Sequence, residues 1–303
     1  MPKRRSTAAA DAPTRTRISA GRADRSAQEL LAGDWSSFDF SYALDPRQLV
    51  PHLLALEQYR AAATAQVLPP DWLEAVSGGE APPRDTSAAR AWVRQRFVPG
   101  SAPLSSADIL AIHRQVAEQS AIESGSAGAL RTDAVKVGRA LVGGMHWGAP
   151  PATLPLLMER YLSFIDDATL SALPPVIQAL LAHFFFDTIH PFLDGNGRTA
   201  RLIAAAILSR RGCNLHGTYA LIRHFYGHEL RYHTILHQAW KRCPFELTPF
   251  VAFGIEGFIM ELRSVDSFIK MKLDPIVDRD PAVPAFRRRF GARSGAAAIG
   301  AAR

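Results

Sequence analysis

Twelve consecutive residues, His190 to Arg201, read His-Pro-Phe-Leu-Asp-Gly-Asn-Gly-Arg-Thr-Ala-Arg and gather the side chains that phosphate chemistry needs. A histidine titrates near neutrality, so His190 can take a proton from an attacking hydroxyl. Asp194 offers hard carboxylate oxygen of the kind Mg²⁺ takes. Gly195, Asn196 and Gly197 let successive backbone N–H groups converge on an anion at a helix start. Arg198 and Arg201 stand three apart on that helix, so both guanidinium forks reach the same polyphosphate. Pro191 favours an extended backbone for His190, which aims the ring, and Phe192 is an apolar plug that keeps the loop on the core.

These residues need rigid elements around them. Apolar spacing predicts a helix over 174–186 that delivers His190, and a second over 197–211 that carries both arginines and stops at Gly212. Further helices are expected over 154–165, 227–241 and 248–269. Upstream, helices are expected over 87–97 and over 106–119, the latter capped by Ser105 or Ser106 with Asp108 in its first turn. Alternation in Val135-Lys136-Val137 and a turn-like centre at Thr132-Asp133 predict a short β-hairpin over 128–138. Leu49, Leu53, Leu56 and Ala61 recur at helical spacing within 44–68, and the Pro, Gly and Ser of 69–86 read as a linker. The expected division is a disordered basic tail (1–26), an N-terminal helical region (27–100), the core (101–272) and a basic C-terminal tail (273–303).

With 303 residues, 48% of them hydrophobic, the chain is long enough to bury a proper core. Its net charge of +7 is held at the ends: residues 1–26 carry seven Lys/Arg against two Asp, and residues 284–303 carry five Arg and no acid. Between those ends the formal charge is −3, so the basic balance does not predict a nucleic-acid-binding face on the core. Two cysteines, Cys213 and Cys243, stand in no metal-ligand spacing and point to a reducing compartment, with a cytoplasmic location or export as an effector as the expectations. No apolar run reaches the ~18 residues of a membrane span. His224/His228 and His233/His237 have helical i,i+4 spacing, but no His-Glu-x-x-His arrangement accompanies them, so zinc is not expected.

Residues 190–201 resemble the signature of the Fic family, His-Pro-Phe-x-(Asp/Glu)-Gly-Asn-Gly-Arg-x-x-Arg, at every defined position, and a weaker resemblance runs from Asp108 to Trp240. The resemblance implies an all-α fold: a Fic-type helical bundle core with a short β-hairpin flap, preceded by the N-terminal helical region. It implies a protein adenylyltransferase that moves AMP from ATP, with Mg²⁺, onto a Tyr, Thr or Ser hydroxyl of a target protein and releases pyrophosphate. In that scheme His190 is the base, Asp194 holds Mg²⁺, Gly195 to Arg198 cradle phosphate, Arg198 takes the β-phosphate and Arg201 the γ-phosphate. Tyr232 falls where the family places a tyrosine near the adenine, and His183 is read as structural. The flap, near Gly128–Gly138 and opening with Gly-x-x-Arg, pairs with the target's backbone.

Family members are often restrained by a glutamate in a (Ser/Thr)-x-x-x-Glu-(Gly/Asn) helix, and no clean match exists here. Regulation by a separate antitoxin-like protein, no regulation, or a diverged element all remain open. Gly197, where the related kinases carry Lys, favours nucleotidyl over γ-phosphate transfer. The rival readings are UMP or GMP transfer, a kinase, and a non-catalytic nucleotide-sensing module that binds nucleic acid or protein.

Overall fold

The computed structural model describes residues 14–18, 40–44, 86–118, 126–138, 146–213, 222–241 and 245–277. In chain order these form strands β1 (Thr14–Ile18) and β2 (Phe40–Leu44), then helices α1 (Ser87–Arg96) and α2 (Ser106–Glu118). Strands β3 (Lys136–Val137) and β4 (His146–Trp147) follow, then α3 (Leu154–Ile165), the single turn α4 (Ala168–Ser171), α5 (Pro175–Ile189) and α6 (Asn196–Arg210). The chain continues through α7 (Ile222–Gly227), α8 (Glu229–Trp240), β5 (Phe245–Glu246) and α9 (Thr248–Val277). The described part is mostly helical, as expected. Contacts divide the chain into two units, residues 1–262 and 263–303; the described residues of the second are helical as far as Val277.

Helix α5 is the axis of the first unit. Its residues Val176 to Ile189 are all buried, which is the pattern of a helix surrounded by protein rather than of one with a wet face. Phe184, Phe185 and Phe186 project in three directions. Phe184 meets Phe245 and Phe250, Phe185 meets Phe40 and Phe164, and Phe186 meets Tyr161 and Phe192. Ring burial of this kind contributes about 1.5–3 kcal/mol per side chain, so α5 is fixed from all sides before it delivers His190. The buried Tyr161 hydroxyl donates to the Ala182 carbonyl at 3.0 Å, and the Gln178 amide donates to the Ile165 carbonyl at 2.8 Å.

Helix α6 packs along α5 and is buried from Arg198 to Ser209. It ends as its sequence predicts: Gly212 takes φ +70°, and Cys213 N–H donates back to the Leu208 carbonyl at 2.8 Å. Helix α2 starts at a reciprocal cap. The Ser105 hydroxyl accepts from Asp108 N–H at 3.2 Å while the Asp108 carboxylate accepts from Ser105 N–H at 2.9 Å and from Arg96 Nε at 3.0 Å.

Several expectations change. The hairpin is centred later than Thr132-Asp133: Lys136 pairs with Trp147 and Val137 with His146, antiparallel, and residues 129–135 carry no strand. Two residues per strand are too few to show a period in the sequence. Within the stretch read as a disordered tail, Thr14–Ile18 is a strand antiparallel to β2. Its Thr-Arg-Thr-Arg-Ile alternation is a strand pattern that the basic composition masked. The core helix α9 passes the expected limit at 272 and ends at Val277, with Pro275 in its last turn. The helix expected over 44–68 and the linker expected over 69–86 lie outside the described residues, except that Leu44 closes β2 and Thr86 is the N-cap of α1. None of the helices searched among the described residues is long and apolar enough to cross a membrane.

Candidate active site

His190 is the C-cap of α5 and lies in the left-handed region at φ 54°, ψ 60°. This corrects the extended backbone expected before Pro191. The reversal is held from several sides: His190 N–H donates to the Phe186 carbonyl at 2.9 Å, and the His190 carbonyl accepts from Arg131 Nε at 2.7 Å. A non-glycine residue at positive φ costs on the order of 1–3 kcal/mol and persists where neighbours over-determine it. The turn points the ring into a cleft of about 690 Å³. His190 Nδ1 lies 3.1 Å from the Asp187 carbonyl, which can only accept, so Nδ1 carries the proton and Nε2 is the basic nitrogen. Burial lowers the pKa of His190 below 6.5, opposed by the Asp187 charge, so the ring is neutral at physiological pH.

The loop after His190 is stapled to the core. Phe192 is fully buried and its ring stacks on His113 at 3.7 Å, as the plug reading predicts. Asn196 spans the loop, its side-chain oxygen accepting from Phe192 N–H at 2.9 Å and its amide donating to the Phe192 carbonyl at 2.7 Å. Its side chain therefore shapes the loop, and its backbone is what remains to face the cleft. His113 holds the other side. Gly128 N–H donates to His113 Nδ1 at 2.9 Å, which leaves Nε2–H to donate to the Asp194 carbonyl at 2.9 Å. That neutral tautomer agrees with burial lowering its pKa. Gly195 takes φ +82°, and a Cβ there would stand 3.2 Å from Val116 and 3.3 Å from His113.

Helix α6 opens into the same cleft with Gly195, Asn196, Gly197, Arg198 and Arg201 on its wall. The first N–H groups of any helix lack intrahelical acceptors, so this end attracts anions. Arg198, 6% exposed, reaches Asp194 Oδ2 at 3.4 Å and the Val116 carbonyl at 3.4 Å. Arg201, 7% exposed, donates to the Tyr226 hydroxyl at 3.1 Å and lies 4.8 Å from the centre of that ring. Its Nε has no bond, and among the described residues it has no carboxylate within ion-pair distance. A buried guanidinium without a counter-charge is costly, so the site is built for an incoming anion. The Asp194 side chain is 52% exposed and opens into the cleft. Among the described residues no group of three or more His, Cys, Asp and Glu side chains forms a metal cluster. Mg²⁺ is commonly held by one or two carboxylates plus substrate phosphates, and a single exposed carboxylate beside an anion site fits that donor set.

Tyr232 lines the cleft yet is 6% exposed, and its hydroxyl lies 2.7 Å from His183 Nε2. His183 is fully buried, its pKa pushed down to about 4 by burial. It thus supports Tyr232 and does not reach the cleft.

Sequence reasoning assigned no role to Arg131, His113, Asp187 or His146. Arg131 is 5% exposed and donates to the carbonyls of His190, Asp133 and Ala149, while its own N–H donates to the Pro191 carbonyl at 3.0 Å. It joins the flap to the start of the loop that follows α5. His146 on β4 stacks on Trp240 at 3.7 Å and 9°, with both ring nitrogens unbonded and its pKa pushed to about 3 by burial. Only the Gly-x-x-Arg at the flap's opening carried a signal for any of these: His113 and His146 meet partners far away in sequence, and an Asp three residues before a His is no pairing signal by itself.

Residues 103–208 match the Fic/DOC family. The chain is 39% identical over 105 residues to the protein adenylyltransferase Fic of Drosophila erecta, a match covering 35% of this chain and 20% of that protein. The protein of the same name from Drosophila melanogaster matches with the same identity and coverage. The chain thus spans about a fifth of the length of the curated relatives it matches. Its fold is similar to the crystal structure of a Fic family protein from Desulfovibrio desulfuricans G20, at a TM-score of 0.51 and 22% identity, over 75% of this chain and 68% of that one.

Proposed function

We propose that the Fic/DOC domain carried by this chain over residues 103–208 is a protein adenylyltransferase, moving AMP from ATP onto a Tyr, Thr or Ser hydroxyl of another protein. The observation that carries this reading is the pairing, in one cleft, of a neutral histidine whose Nε2 is the basic nitrogen and a buried arginine that has, among the described residues, no carboxylate within ion-pair distance. The target hydroxyl oxygen attacks the α-phosphorus in line, its proton passes to His190 Nε2, and the bond to the pyrophosphate oxygen breaks. The N-terminal turn of α6 holds the phosphates still, Arg198 addresses the β-phosphate, and Arg201 takes the γ-phosphate. Asp194 would hold Mg²⁺, which when bound spreads charge over the phosphate oxygens and eases departure of pyrophosphate. Tyr232 and Phe225 give the cleft an aromatic wall suited to a base.

The flap gives the target its register. Strand β3 ends at the cleft, where Val137 and Gly138 line the wall, so an extended target segment adding to the flap brings its hydroxyl toward His190. An acidic side chain from a separate regulatory protein would find its partner in Arg201 and compete with the γ-phosphate. The test is label transfer from α-labelled and γ-labelled ATP in parallel, with Mg²⁺, cell lysate and His190→Ala as control. Label from the α position alone, lost in the variant, is expected. Label from the γ position alone makes the domain a kinase, and label from neither, with α-labelled UTP or GTP tried as well, removes the transferase reading.

A further inference from the structure

Asp187 is a buried carboxylate that the reaction above does not use. Its side chain is 8% exposed, it lies on the cleft wall three residues before the base, and its Oδ1 is 3.8 Å from His190 Nδ1. Among the described residues this is its one ion-pair contact, and no Lys or Arg lies within that distance. A carboxylate taken out of water is costly, and His190 carrying two protons places a cation beside it. The Tyr232 hydroxyl, anchored by His183, also interacts with Asp187 and limits where the carboxylate can sit.

We infer that Asp187 is a positioning residue that supplies the counter-charge for His190 at the moment its ring becomes an imidazolium. The geometry separates two tasks. The Asp187 backbone carbonyl fixes the tautomer through Nδ1, and the Asp187 carboxylate stabilises the charge that proton transfer creates. The other charged or titratable groups facing His190 are Arg131, Asp194 and His146. Arg131 opposes protonation of the ring while Asp194 and Asp187 favour it, and among these influences that of Asp187 is the largest. Desolvation alone would leave a weak base, and the carboxylate offsets part of that loss.

The consequence for rate rests on the adenylyltransferase reading, but the pairing itself is testable without nucleotide. In the full chain labelled at histidine, the His190 ring resonances, assigned with His190→Gln, are titrated by NMR in wild type, Asp187→Asn and Asp187→Glu. The expected midpoint for His190 in Asp187→Asn is lower by about one pH unit, with the Nδ1–H tautomer retained, and Asp187→Glu returns it toward wild type. In AMP transfer the acid limb of kcat/KM moves the same way, kcat falls several-fold, and KM for ATP is unchanged. A His190 midpoint identical in wild type and Asp187→Asn overturns the inference. If Asp187→Asn does not fold, the wild-type Asp187 carboxyl carbon decides: its shift must follow the His190 midpoint, and a flat signal across that range overturns the inference. Failure of AMP transfer alongside a shifted midpoint counts against the proposed reaction and not against the pairing.

Discussion

At the scale of single residues, His190 and Arg201 separate chemistry from binding. Replacing His190 by Ala removes the base and is expected to lower AMP transfer by roughly 10²–10⁴-fold while ATP affinity, read by calorimetry, is kept. Because burial holds the His190 pKa below 6.5, the active neutral form dominates at neutral pH and activity falls only as pH drops through that lowered value. Arg201 makes the opposite split. Its guanidinium waits for an anion, so Arg201→Ala should weaken ATP by roughly 10–100-fold, the worth of a hydrogen bond to a charged group, and leave AMP affinity nearly unchanged. Equal losses for ATP and AMP would place Arg201 away from the γ-phosphate. That both residues belong to one site was legible in twelve letters of sequence, and the fold brings them to one cleft. The contacts of Asp187 and His113 were not legible there, because an Asp three residues before a His is no pairing signal by itself and a lone His carries no pattern until the fold brings it against Phe192.

At the scale of elements, the loop from His190 to Gly195 is only as rigid as its supports. Asn196→Ala removes both side-chain bonds to Phe192 and strands a buried N–H and C=O, so a loss of about 1–3 kcal/mol is expected in denaturant unfolding. Activity should fall further than stability, since the same loop aims the base. Gly148 is the flap's close approach. A Cβ there would stand 2.8 Å from Arg131 Nη2 and 3.2 Å from His190 Cβ, with no room on either side. Gly148→Ala is expected to push Arg131 off its carbonyls and cut turnover at least tenfold, while ATP affinity changes little; a wild-type rate would show that the flap and loop are not coupled. Helices α3 and α6 lay within one or two residues of where apolar spacing and the Gly212 stop signal put them. The hairpin did not, because a two-residue ladder is specified by its long-range contacts, His146 on Trp240 and Ala149 N–H on the Ile189 carbonyl, and not by local alternation.

At the scale of the whole molecule, the core contains histidines that fold neutral, and this sets its response to acid. His183 and His146 titrate at about 4 and about 3 in the folded protein, against 6.5 for an exposed imidazole. Between pH 6.5 and those values the unfolded chain binds protons that the folded chain does not. Stability therefore falls as pH falls, by about 1.4 kcal/mol per pH unit for each such group. The loss stops growing near pH 4 for His183 and near pH 3 for His146, where the folded rings also protonate. From pH 6.5 to 5 this window lies above the ordinary carboxylate range, so acid–carboxylate pairs such as Arg96–Asp108 do not account for it. His146→Phe isolates the effect: the aromatic plate on Trp240 is kept, no bonded nitrogen is lost, and the titrating group is gone. Urea unfolding at half-unit pH steps is expected to give this variant wild-type stability or better at pH 7 and a slope between pH 6 and 5 shallower by about 1.4 kcal/mol per pH unit. A variant that loses stability with acid as steeply as wild type would mean that His146 meets solvent often enough to protonate in place, and hence that the flap opens without unfolding the core.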